Sequence, residues 1–253
     1  MPPALKETSG IAVSRRSPEV LWTHSDEGPE LFALDRTGTV IGRFSLDRGV
    51  RDPEDLAAGT CRGEPCLYLA DTGDNAERRP GGDPRILRVS EPRDPTSGGN
   101  LETEVFPIRL PDGPRDIEAI FVLPGERVYL ITKGRSHAVT VYRYPGGLRD
   151  EVVTLEPVQA LTEGPQPVLD QVTGASAAVD GQVVAVRSYR AVRFYLVEGE
   201  HLVPRDGGLV NLRPLEEIQG EGVALGFSGA VWLTSEGGPL GGPAALNALK
   251  CAI

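Results

Sequence analysis

A short motif recurs along this chain: a small or acidic pair, then an aliphatic residue, then usually Ala. It reads Ser9-Gly10-Ile11-Ala12, Glu54-Asp55-Leu56-Ala57, Glu118-Ala119-Ile120-Phe121 and Glu221-Gly222-Val223-Ala224, with a degenerate copy at Ala175-Ser176-Ala177-Ala178. The copies start 45, 64, 57 and 46 residues apart. Roughly ten residues after each copy comes an apolar run, such as Val20-Leu21-Trp22-Thr23 or Val128-Tyr129-Leu130-Ile131. Third and fourth runs close most units, among them Leu31-Phe32-Ala33-Leu34 and Val40-Ile41-Gly42-Arg43-Phe44. Gly, Pro, Asp and Asn punctuate the runs, as they do between short strands.

Units of four short strands at a period of about 40 to 50 residues are the signature of a β-propeller. The chain is therefore expected to be all-β, one domain over residues 1–253, with five four-stranded blades and six as the alternative count. A β-sandwich has no reason to repeat at this period. An α/β fold needs helical stretches between strands, and none is visible. The longest interval holds EPRDPTSGGN, which reads as a loop insertion. The last unit is short of strand material, so Ala4-Leu5-Lys6 is expected to serve as its outer strand and to close the ring.

Charge removes some functions. The net charge of -10 comes without any basic cluster, which excludes a nucleic-acid face. No apolar run reaches the length of about 18 residues that a membrane helix needs, and MPPALKET lacks the pattern of a signal peptide. A soluble monomer is expected. Cys61 and Cys66 bracket the turn CRGEPC, and they are either a disulfide or two free thiols at strand ends. A disulfide would favour an extracytoplasmic setting.

In an antiparallel blade with strands a to d, the loop into a and the loop out of b share one face. Polar residues gather at both places. Glu7, Asp52, Glu54, Asp55, Asp116, Glu118 and Glu221 enter strand a, while His24, Asp26, Asp71, Asp74, Asn75, Lys133, Arg187 and Glu236 leave strand b. Carboxylates crowded into one mouth bind cations, pair with bases or hold protons. Hard oxygens without thiols suit Ca²⁺ or Mg²⁺. The candidate ligands for Ca²⁺ are Glu54, Asp55, Asp71, Asp74, Asn75, Glu118 and Glu221. The competing reading makes these acids turn caps and blade-to-blade contacts. His24 is the candidate general base. Asp26, Lys133, Arg187 and Glu236 are candidate ligand-binding residues, with Lys133 and Arg187 read as equivalent positions in successive blades. The alternative for these two is internal pairing with the acids. The Gly/Pro run from Glu236 to Pro243 is either a lid or a plain connection.

SGIA, LWTHSD, DPEDLA, LYLADTGDN, ILRVSEP and DIEAI follow one another in an order that resembles a group of uncharacterised bacterial propeller proteins. These are related to the esterase-like phytase, gluconolactonase and strictosidine-synthase-like propellers. The resemblance covers nearly the whole chain, and its strongest pieces are Asp52-Pro53-Glu54-Asp55 and Asp71 to Asn75. It implies a propeller, often with calcium in the channel mouth, and distant relatives that hydrolyse lactones or phosphate esters. Those enzymes usually have six blades. Their metal pattern of one Glu, two Asn and one Asp is matched here only at Asn75.

Two functional readings follow. The first is a propeller that binds a small molecule or a protein at an acidic, calcium-competent mouth. The second is a calcium-assisted hydrolase of esters, lactones or phosphoesters at the same place.

Overall fold

The computed structural model describes residues 5–26, 28–237, 242 and 244–251. The chain is an all-β propeller with five blades in a ring. Blade 1 holds β1 (Thr8–Val13), β2 (Leu21–Ser25), β3 (Glu30–Leu34) and β4 (Val40–Leu46). Blade 2 holds β5 (Pro53–Cys61), β6 (Glu64–Asp71) and β7 (Arg85–Ser90), then after the short β8 (Gly99–Leu101) its fourth strand β9 (Glu104–Arg109). Blade 3 is β10 (Ile117–Leu123), β11 (Arg127–Thr132) and β12 (Thr140–Arg143), then after β13 (Val153–Thr154) its fourth strand β14 (Glu156–Ala160). Blade 4 is β15 (Val172–Ala177), β16 (Val183–Ser188), β17 (Ala191–Glu198) and β18 (His201–Asn211). Blade 5 is β19 (Gln219–Leu225), β20 (Ala230–Glu236) and β21 (Ala245–Lys250).

Two strands leave their own blade. The end of the EPRDPTSGGN insertion forms β8, which pairs parallel with β4 of blade 1. Likewise β13 pairs parallel with β9 of blade 2. The insertion is thus a strap on the preceding blade rather than a bare loop. Glu91, at its start, is buried and accepts from the Trp22 indole at 3.0 Å and the Arg15 amide at 3.1 Å. Ser14 also donates to it.

Apolar residues fill the wedges between blades. Five clusters of buried side chains occupy the five interfaces, and the one between blades 5 and 1 joins Ile11, Val13 and Leu21 to Ala224 and Trp232. Strands a and b are buried almost throughout, as the near-continuous apolar runs require. The ring closes here, among the described residues without an exchanged strand, and the Gly237 amide donates to the Lys6 carbonyl at 3.1 Å. Leu5 is fully buried in this last wedge within a tight turn, and Thr234 Oγ1 donates to the Ser9 carbonyl at 2.6 Å. Ala4 lies outside the described residues, and Leu5 and Lys6 form no outer strand for blade 5. Gly222 makes this closure fit, because a Cβ there would sit 2.7 Å from the Ser9 carbonyl oxygen.

Cys61 and Cys66 form a disulfide across the β5–β6 hairpin, on the face opposite the acidic loops.

Candidate functional site: the acidic mouth

Every pairing of strands a and b slips register near one end. The slips fall between Thr8 and Ile11, Pro53 and Asp55, Ile117 and Ala119, Val172 and Gly174, and Gly220 and Val223. Such a bulge gives strand a one extra residue and re-aims its side chain. At equivalent positions the extra residues are Ser9, Glu54, Glu118, Thr173 and Glu221. One step further out, strand b is followed by Asp26, Thr72, Lys133, Tyr189 and Glu236, and strand a is preceded by Glu7, Asp52, Asp116, Gln171 and Gln219. Three tiers thus place eight carboxylates and one ammonium at one mouth, with the acids concentrated on blades 1 to 3 and 5.

Burial and crowding act together on these acids. Burial pushes the Asp26 carboxyl up to about 8, helped by Glu236, Asp52 and Glu7, and Asp26 shares a hydrogen bond with Glu236. Glu54 is raised well above the usual carboxylate range by burial, then by Glu118 and Asp52. Glu221 is raised by burial, then by Glu118 and Glu236. Glu118 is raised by burial against the pull of Lys133. Burial works against the Lys133 charge, yet Glu118 and Asp116 hold it above the ordinary lysine value.

Glu54, Asp116 and Glu118 bring carboxylate oxygens within 4.8 Å of one another. Gly73 makes room for them, since a Cβ there would lie 2.0 Å from Glu54 Oε1 and 2.6 Å from Asp52 Oδ2. Asp116 Oδ2 is buried without a hydrogen-bond partner among the described residues, and Lys133 Nζ stands 3.6 Å away. An orphaned carboxylate oxygen beside two further carboxylates is a donor set that a hard cation completes.

The structure separates the sequence candidates into two groups. Glu54, Glu118, Glu221, Asp26, Lys133 and Glu236 converge at the mouth. The others are committed elsewhere. Asp55 is fully buried at the hub and accepts three amides, from Leu56 at 2.8 Å, Ile120 at 3.0 Å and Ala175 at 3.0 Å. It joins blades 2, 3 and 4, and both of its oxygens are engaged by backbone amides. Asp71 accepts the Arg51 and Asp52 amides and pairs with Arg79 and Arg85. Asp74 accepts the Arg78 and Arg79 amides at 2.9 and 2.7 Å. Asn75 is exposed, and its carbonyl accepts from Arg135. The Asp71–Asn75 run is therefore a turn anchor.

His24 is likewise engaged away from the mouth acids. It is fully buried below the mouth, where Nε2 accepts the Gly10 amide at 3.1 Å and Nδ1 faces the Ser25 carbonyl at 3.3 Å. Burial lowers its pKa to about 4. Its ring staples β1 to β2 rather than serving as a free base. Arg187 shares that level, and its register partner is Gly174. It donates to the Gly222 and Thr234 carbonyls at 2.7 and 2.8 Å and pairs with Glu217. The true counterpart of Lys133 in blade 4 is Tyr189. The run from 238 to 241 and Pro243, read as a lid or a connection, lies outside the described residues.

No family profile and no curated protein matches the sequence. Solved structures do match the fold. An aldose sugar dehydrogenase from Streptomyces coelicolor, in its PQQ-bound form, has a TM-score of 0.57 at 12% identity, over 97% of this chain and 94% of that one. A glucose dehydrogenase has a TM-score of 0.57 at 10% identity, covering 99% and 98%. A luciferin-regenerating enzyme has a TM-score of 0.57 at 8% identity, covering 98% and 92%. At these identities the likeness is one of fold, and it fits the propeller architecture that the resemblance to the phytase-, gluconolactonase- and strictosidine-synthase-like group implies.

Two site residues carried no distinctive signal in the sequence. Asp116 is one of many acids in the chain, and Tyr189 follows the charged Arg187 with no pattern of its own. Tyr189 is now placed among Glu221, Lys133, Glu118 and Glu54, and burial raises its hydroxyl pKa, so it remains a donor. The fourth motif copy also begins two residues earlier than its sequence suggests, at Thr173.

Proposed function

We propose that this protein is a binding propeller whose mouth carries a divalent cation, with Ca²⁺ the best fit. Glu54, Asp116 and Glu118 would hold the ion. The orphaned Asp116 Oδ2 carries this reading. Ca²⁺ takes about 6–8 oxygens, so three protein carboxylates leave positions for a ligand rich in oxygen. Two of the similar structures are named as sugar dehydrogenases, which makes polyhydroxylated compounds the first ligands to try. Tyr189 and Lys133 would donate hydrogen bonds to such a ligand. The Cys61–Cys66 disulfide favours an oxidising compartment, and a monomer suffices for a mouth built from one ring.

A second reading rests on Asp26. A carboxyl with a pKa near 8, hydrogen-bonded to Glu236 at the mouth, is suited to proton transfer near neutral pH. The cation would then polarise an ester, lactone or phosphoester oxygen, with Asp26 rather than His24 moving the proton.

The test is thermal unfolding of EDTA-stripped protein with and without Ca²⁺, on wild type and on Asp116→Asn. A rise in Tm at micromolar Ca²⁺ that Asp116→Asn abolishes is the expected result. No rise, and no metal retained after purification, would overturn the cation reading. Turnover of a panel of esters, lactones and phosphoesters, lost in Asp26→Asn, would favour the hydrolase.

A further inference from the structure

We propose that the cleft between blades 3 and 4 is a second binding site, and that it takes a small apolar carboxylate. The cleft is a cavity of about 480 Å³, within the range of small-molecule pockets. Its floor is apolar, with Val139 from blade 3 and Val172, Val186 and Leu202 from blade 4, all buried.

One wall supplies the polar end. The register of β17 against β18 slips between Arg193 and Tyr195, so Arg193 faces Leu209 while Tyr195 faces Pro204. Arg193 and Tyr195 are two apart on one strand, so their side chains share a face, and both line the cleft. The Tyr195 ring is buried, while its hydroxyl has no hydrogen-bond partner among the described residues and is not among their buried unpartnered atoms, so it opens to the cleft. Arg193 has no ion pair there either. The other arginines of the cleft are matched: Arg190 pairs with Asp170 at 2.5 Å, and Arg187 pairs with Glu217. One guanidinium is left uncompensated in a chain of net charge -10.

Burial keeps the Tyr195 hydroxyl protonated, with Arg193 opposing that shift. A guanidinium and a phenol over an apolar floor form a recognition site for one carboxylate bearing a hydrocarbon body. The fork of Arg193 matches two carboxylate oxygens, and Tyr195 adds a neutral donor. A fully hydrated anion such as inorganic phosphate would leave the floor uncovered. This site uses none of the mouth carboxylates, so it works without Ca²⁺ and stands independently of the cation reading.

The experiment is calorimetric titration of the full chain with 3-phenylpropionate in EDTA, with 3-phenylpropanamide as the uncharged control. Binding of the acid at least about tenfold tighter than the amide is expected. Arg193→Gln and Tyr195→Phe should each weaken the acid, Arg193→Gln by about tenfold or more. Leu209 is 55% exposed at the cleft, so Leu209→Trp should block the cleft without loss of fold. If Arg193→Gln lowers Tm, Leu209→Trp decides alone. No binding of the acid at millimolar concentration overturns the proposal, as does equal binding of acid and amide. Binding untouched by Arg193→Gln or by Leu209→Trp overturns it as well.

Discussion

Lys133 Nζ donates to Glu118 Oε1 across 2.6 Å, and both side chains are buried. This ammonium is the one positive charge set among the three tiers of mouth acids. In the metal-free protein it offsets part of their repulsion.

Lys133→Gln should therefore destabilise the EDTA-stripped protein by about 3–5 kcal/mol, the usual result of removing one partner from a buried pair. Saturating Ca²⁺ should recover much of that loss, because the ion would replace the missing charge. Urea unfolding with and without Ca²⁺ measures both. An equal loss in the two conditions would show that no cation binds near Glu118.

The pH dependence of stability has a definite sign. Asp26 has a folded pKa near 8, far above its ordinary value of 3.8, and Glu54, Glu221 and Glu236 are displaced the same way by burial. Between the two values the folded chain holds protons that the unfolded chain has released. Stability from these groups is full below about pH 4 and declines as pH rises through about 8. Metal-free protein should accordingly lose Tm between pH 6.5 and 8.5, and Ca²⁺ should flatten the slope. A Tm that rises over this interval in EDTA would contradict the assignment.

His24 should not titrate near neutrality. Its folded pKa near 4 lies below its ordinary value of 6.5, so its contribution to stability is present above 6.5 and is lost as pH falls through 4. Imidazole NMR resonances of His24 should stay constant from pH 8 to about 5.5. A titration midpoint above 6 would mean that a ring nitrogen is free, and the general-base role would reopen.

Asp55→Ala tests the hub. It would strand the Ile120, Ala175 and Leu56 amides, each at a cost of about 1–3 kcal/mol when buried. A fall in Tm of at least about 6 °C is expected for a chain of this size. A shift below about 2 °C would mean that water replaces the carboxylate at the axis.

Much of the fold was legible because a repeat survives in linear sequence. Ser9-Gly10, Glu54-Asp55, Glu118-Ala119 and Glu221-Gly222 mark the bulged ends of β1, β5, β10 and β19, and with the degenerate copy at Ala175 their spacing points to five blades, with six as the alternative that the structure removes. Glu54, Glu118 and Glu221 could be read as mouth residues for the same reason. What spacing cannot reveal is where a side chain finds its partner. The carboxylate of Asp55 reaches an amide 120 residues away, and Arg187 finds Glu217 in the next connection. Nor does spacing mark a charge set inside a strand: Arg187 stands where β11 has the apolar Ile131, so the first charge after the apolar run in blade 4 is not the counterpart of Lys133, which is Tyr189. The straps β8 and β13 hid within polar segments, because a parallel edge pairing of two or three residues needs no apolar pattern.

Those straps impose a direction on assembly. The edge of blade 1 is completed by residues 99–101, and that of blade 2 by residues 153–154, each delivered only after the following blade has begun. As the chain emerges during synthesis, each newly made segment would latch the blade before it. The first two blades would be fastened before the chain of blades 4 and 5 is complete. Blades 4 and 5 have no such latch among the described residues and rely on the wedge around Trp232 to seal the circle. The ring would therefore be finished, and first breached, at its C-terminal seam.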